Sequence, residues 1–151
     1  MSTRIVRHPA AIKAAREARA YGLLNFGFAV EGAWKRDAVV RGGHRSFNTV
    51  LTKAGTPRVG GTFRRSIHTA AYLDGARIGG PVTDGNGEAT PEYAAGTGMA
   101  VFVGSNSGYG AFVELGTDRM PARPAGVPAL LATKDQFPAL IAAGTKRKLG
   151  Q

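Results

Sequence analysis

The sequence predicts an α+β fold: a small, mainly antiparallel sheet packed with a long N-terminal helix and a C-terminal helix, in a single domain. Three observations carry this reading. Pro9 to Val40 is rich in Ala, Arg, Lys and Glu and places apolar residues at helical spacing. Met99 to Gly104 (MAVFVG) is a short β-branched, apolar run followed by a Gly- and Ser-rich turn. Ala129 to Ala143 closes the chain with a second apolar segment at helical spacing, at Leu130, Leu131, Phe137 and Ile141. With 151 residues, a second core would leave too few residues for either.

Each element has a local cause. Pro9 suits a first helical turn. Leu23, Phe26, Val30 and Trp34 follow the spacing i, i+3, i+7, i+11 and line one face, with Arg16, Arg19 and Lys35 mostly off it. That stripe reads as core or as a subunit contact. Gly22, Gly27 and Gly32 each weaken a helix by about 1 kcal/mol relative to Ala. They therefore mark close packing against another element, or a break near Gly22. Residues 41–61 read as a long loop with a short apolar stretch at Val50–Leu51. Thr62 is placed to cap a helix over Gly61 to Ala71. Phe63 and Ile67 share one face of it, Arg64 and Arg65 lie outside, and Ala70 to Ile78 continues as a strand. Residues 79–98, rich in Gly, Thr and Pro, read as a second long loop.

Ser105 to Gly110 turns the chain, and Tyr109 to Leu115 (YGAFVEL) forms a short helix ending at Gly116. Asp118 to Pro128 holds three prolines and is extended. Pro138 should kink or split the last helix. Lys146, Arg147 and Lys148 lie in a basic tail over residues 145–151 and complement the negative end of a helix dipole.

The net charge of +10 lies wholly in the first half: residues 1–73 hold 13 Lys/Arg against 3 Asp/Glu, and residues 74–151 hold 7 of each. Such a half stands in salt solution, near a polyanion, or near an acidic partner. The 41–61 loop carries Arg41, Arg45, Lys53 and Arg58 and no acid; the 79–98 loop carries Asp84, Glu88 and Glu92 and no base. That pairing suits contacts between neighbouring copies in a ring, or is fortuitous. No zinc finger, basic zipper or RNA-binding signature points to sequence-specific readout. With no cysteine, disulfides, thiolate metal sites and a Cys nucleophile are excluded, in keeping with a reducing cytosol. No apolar run approaches the roughly 20 residues of a membrane span, and MSTRIVRHPA lacks the apolar core of a signal peptide.

Catalytic chemistry needs a nucleophile, a base and a stabiliser within reach of one another. His8, His44 and His68 are scattered and match no metal-ligand spacing. Ser66 lies in no GxSxG, and GGTFRR and VGSNSGYG lack the Lys and Ser/Thr of a phosphate loop. Glu114, inside an apolar helix, pairs with an arginine such as Arg64, Arg65 or Arg123, or accepts from backbone N–H groups. No enzymatic activity, cofactor or metal is expected.

One ordered constellation is distinctive. Gly61, Thr62, Phe63, Arg64, Arg65, Ser66 and Ile67 come first. Val103 and Gly104 then end a strand. Tyr109, Gly110, Phe112, Val113, Glu114, Leu115, Gly116 and Thr117 follow. Ala122, Arg123 and Pro124 come next, and Pro128 and Ala129 open the last helix. Over residues 60–143 this resembles a family of small tailed-bacteriophage proteins, variously called minor tail components, neck, tail-completion or head–tail joining proteins. The chain departs from the family pattern at Ala125-Gly126-Val127, where an aromatic or Leu is usual, and in its longer basic loop.

The resemblance implies a non-enzymatic virion protein, made in the host bacterial cytoplasm. It implies a hexameric ring between the portal or head-completion proteins and the tail, touching tail terminator or tail tube proteins. Double-stranded DNA would pass through non-specifically. The channel candidates are Arg41, Arg45, Lys53, Arg58, Arg64 and Arg65. The subunit-contact candidates are Tyr109, Phe112, Glu114, Gly116 and Arg123. Tyr109, Phe112, Val113 and Leu115 would pack the short helix on the sheet. A tail terminator is the sibling reading, and a small basic nucleic-acid-binding protein the more distant one.

Overall fold

In the computed structural model, residues 8–40, 62–93, 95–119 and 121–150 are described. The elements run α1 (Pro9–Val40), α2 (Thr62–Ser66), β1 (Ile67–Leu73), β2 (Ala76–Gly79), β3 (Met99–Ser105), α3 (Gly110–Leu115), α4 (Gly126–Thr133) and α5 (Phe137–Leu149). The sheet is antiparallel with order β2-β1-β3, so the α+β architecture with long first and last helices is as the sequence predicts.

α1 runs unbroken through its glycines because two of them are contact points. A Cβ on Gly22 would lie 2.6 Å from the Ile141 carbonyl oxygen, and one on Gly144 would lie 2.8 Å from Gly22 Cα. The α1 and α5 backbones therefore cross in direct contact. Gly27 faces the sheet, where a Cβ would lie 2.6 Å from methyls of both Thr69 and Val101. As α5 runs from Phe137 to Lys148, its α1 partners run back from Phe26 (rings 4.9 Å apart) through Asn25 and Gly22 to Tyr21, so the two helices are antiparallel.

Two expectations for residues 61–78 are corrected. The helix ends at Ser66 rather than Ala71, and the strand expected over Ala70–Ile78 is two strands joined by a tight turn. Asp74 (φ 50°) and Gly75 (φ 81°) supply the two positive φ angles of a hairpin turn whose twist matches the strands. β1 is buried on both faces, so its apolar run shows neither a strand nor a helix period.

α1 covers one sheet face, against Thr69 and Val101. Tyr93 lies on the other, against His68, Tyr72 and Phe102. The Tyr93 ring stacks on Phe102 at 4.6 Å, and its backbone N–H donates to the Tyr72 hydroxyl at 3.0 Å, which in turn donates to Glu92 at 3.0 Å. His68, 1% exposed, is a satisfied core histidine. Its Nδ1 lies 3.0 Å from the Ser66 carbonyl and must donate there, which leaves Nε2 to accept from the Tyr93 hydroxyl at 2.9 Å. Burial, with Tyr72 beside it, raises the Tyr93 pKa and keeps that hydroxyl a donor.

The C-terminal region begins earlier than expected. The extended, Pro-rich stretch stops at Ala125, and Pro128 sits in the first turn of α4, where its missing N–H costs nothing. Pro138 does split the helical segment: a 3-10 turn at Lys134–Gln136 precedes α5, which starts with Pro in its first turn. α5 then runs to Leu149, so Lys146, Arg147 and Lys148 form its last turn rather than a tail.

Candidate subunit interface

The two halves of the sequence constellation meet in space. The Ser66 and Ser105 hydroxyls lie 2.5 Å apart, and the Phe63 and Tyr109 rings lie 6.0 Å apart. Gly110 is pressed between Phe63 and Ser105, where a Cβ would sit 3.3 Å from each. α2, the end of β3 and the start of α3 thus form one corner.

α3 leaves this corner with its apolar side chains outward, against the expectation that they pack on the sheet. Tyr109 is 45%, Phe112 55% and Leu115 80% exposed. What fixes α3 is Glu114. Its carboxylate accepts from the backbone N–H of Ala125 at 3.0 Å and of Gly126 at 3.2 Å, at the positive end of α4. Of the two partners weighed for Glu114, the backbone is therefore the one found. Arg123, half-buried, ties the connector to α3 through its own N–H, which donates to the Val113 carbonyl at 2.8 Å. Gly116 closes α3 at φ 79°, a conformation that favours glycine, and its N–H returns to the Phe112 carbonyl.

Beside α3, an apolar groove of about 470 Å³ opens between α1, β3 and α4. Phe26, Val30 and Trp34 form one wall, Val101 and Val103 the floor, and Leu115, Val127 and Leu130 the other wall. Gly126 lies flat on the Trp34 indole, where a Cβ would sit 3.0 Å from the ring. The buried Trp34 Nε1 finds no hydrogen-bond partner among the described residues. Val127, Leu130 and Leu131 stay largely exposed on α4.

The groove adjoins an open sheet edge. Asn106 N–H donates to Ser66 O and Asp74 N–H to Gly98 O, so even-numbered β3 residues exchange hydrogen bonds with β1. Met99, Val101, Val103 and Ser105 must then aim their N–H and C=O groups outward. Among the described residues no backbone bond reaches that edge.

Of the channel candidates, Arg41, Arg45, Lys53 and Arg58 lie outside the described residues. Arg64 is exposed and Arg65 half-buried on α2. Among the described residues, no group of three or more His, Asp or Glu could hold a metal. Sequence reasoning placed Trp34 on the right face of α1 but missed the groove. The signal available was the alternation of Val101 and Val103 with Phe102, which puts the valines on one face. No protein-family model, curated protein or solved structure matches the chain.

Proposed function

We propose that this chain is a structural protein of a tailed-bacteriophage virion, assembling as a ring at the neck to join head and tail around the DNA. The observation that carries the reading is a β3 edge left open among the described residues, beside an apolar groove into which the family-like constellation reaches at Val103, Glu114, Leu115 and Pro124. Unpaired strand edges add strands from other chains, and alternate side chains of the added strand fill the flanking pocket. Tyr109, Phe112 and Leu115 extend the same surface beyond what the monomer buries. A contact between two different faces of identical subunits closes into a ring when its rotation permits. No catalytic role is assigned to any residue.

Light scattering and negative-stain imaging of the purified protein, alone and mixed with phage heads, test this. A ring, or a monomer that joins heads, is the expected result. A monomer that ignores heads and tails contradicts the reading.

A further inference from the structure

The fold gathers two basic runs that are more than a hundred residues apart in sequence. Lys13, Arg16 and Arg19 lie on the first half of α1, and Lys146, Arg147 and Lys148 on the last turn of α5; all six are exposed. The antiparallel crossing at Gly22 and Gly144 brings them to one end of the molecule. The Lys148 ammonium fixes the alignment, 4.3 Å over the Tyr21 ring. Arg16 pairs with Asp74 at 2.8 Å, whereas Lys13, Arg19, Lys146 and Arg147 form no ion pair among the described residues. α2, with Arg64 and Arg65, enters the opposite end of β1 from Asp74, so this cluster is separate from Arg64 and Arg65.

We propose that this end binds the phosphate backbone of duplex DNA without reading its sequence. Lys13, Arg16 and Arg19 recur every three residues, about 4.5 Å of helix rise apart, as a ladder of cations along one rod. Around them Pro9 to Arg19 (PAAIKAAREAR) offers no Asn, Gln, Ser or Thr, so apart from the cations themselves and half-buried Glu17 nothing there hydrogen-bonds base edges. Ile12 is the one large apolar side chain of that stretch, too little to seat a helix in a lipid surface, which needs a broad apolar face. Cations that contact phosphate give affinity that is electrostatic, independent of sequence and steeply salt-dependent. The choice of DNA among polyanions rests on the neck reading; the cluster itself does not.

The test is binding of the purified protein to a short labelled duplex of arbitrary sequence across a salt series. The variant combines Lys13→Gln, Arg19→Gln, Lys146→Gln and Arg147→Gln, with folding checked by circular dichroism. Each phosphate contact contributes about 0.9 to the slope of log affinity against log salt, so the variant should lose about 3 to 4 of slope. Should the fourfold variant fold poorly, the single changes Lys13→Gln and Arg147→Gln should each lower the slope by about 0.9. Lys134→Gln, on the 3-10 turn, should leave it unchanged. An unchanged slope in the fourfold variant overturns the proposal. So does loss of binding in Arg64→Gln/Arg65→Gln alone, or equal binding to vesicles of phosphatidylserine and phosphatidylcholine. Because ring formation is read by mass and imaging, failure here is distinguishable from failure of the neck reading.

Discussion

β1 and β3 are neighbours of equal length, paired in register from Ile67–Ser105 to Leu73–Met99, yet they differ in how far the chain finishes them. Six of the seven β1 residues are buried; none in β3 is. Residue type does not explain this, since β3 (MAVFVGS) is at least as apolar as β1 (IHTAAYL). Position does. β1 has a strand on each side, α1 on one face and the Tyr93 layer on the other, whereas β3 has, among the described residues, no strand at its outer edge, and a groove beside it. Apolar content alone therefore does not set a strand's burial, and β3 carries more of it than the described residues cover. α3 repeats the contrast: Glu114 is fixed to the backbone of α4 while Phe112 and Leu115 face outward.

The contrast can be broken first on the finished side. Gly80 has φ 100°, and a Cβ there would run into the Thr69 carbonyl and the Ala70 backbone of β1. Gly80→Ala should cost about 3 kcal/mol or more, from strain and backbone clash together, and urea denaturation should show a large fall in midpoint. Gly27→Ala, pressed on side-chain methyls that can give slightly, should cost about 1–3 kcal/mol in the same assay.

Glu114 comes next. Glu114→Ala leaves the first N–H groups of α4 without their acceptor and should cost about 1–2 kcal/mol, read as a lowered Tm. Glu114→Gln keeps one acceptor oxygen and should lose less.

A smaller effect sharpens the second face of the sheet. Burial pulls the Asp84 pKa upward, but the Asn86 and Glu88 backbone N–H groups, with the Asn86 and Asn106 side chains, outweigh it and hold the pKa below the ordinary value. A carboxylate with a lowered folded pKa stabilises fully above its unfolded pKa of about 4, and that contribution fades as pH falls through the folded value. Asp84→Asn should therefore flatten the acid side of the stability profile and leave its pH dependence near neutrality unchanged.

The smallest effect on the lone chain is expected where the chain is unfinished. Phe112→Ser and Leu115→Ser should each change monomer stability by no more than about 0.5 kcal/mol, because exposed side chains contribute little to folding. If the chain joins head and tail as proposed, both should nonetheless weaken ring formation or head joining. A large loss of monomer stability would show that α3 packs where it is found exposed.

Much of the fold was legible because its signals are local. Pro9 and the helical spacing gave α1 its bounds, β-branched residues marked β3, Gly116 ended α3 and Pro138 split the C-terminal helices. The Asp74-Gly75 turn was also legible, as an Asp-Gly pair between two apolar runs, but the Ala- and Arg-rich text before it read as helix. The interface was harder. Tyr109, Phe112 and Leu115 have the composition of a core, and sequence does not distinguish apolar side chains that the fold buries from those it leaves exposed. Nor could spacing reveal the basic end, since Lys13 and Arg147 meet only through the α1–α5 crossing at Gly22 and Gly144.

The most direct test of the central claim is amide hydrogen exchange along β3, residue by residue, in the monomer and in the assembled state with heads. The account predicts an alternation in the monomer: Ala100, Phe102 and Gly104 protected by β1, Val101, Val103 and Ser105 exchanging freely. On assembly the odd-numbered amides should become protected as well. Odd-numbered amides that exchange as freely in the assembly as in the monomer would contradict it, and the open edge of β3 would then not be where subunits meet.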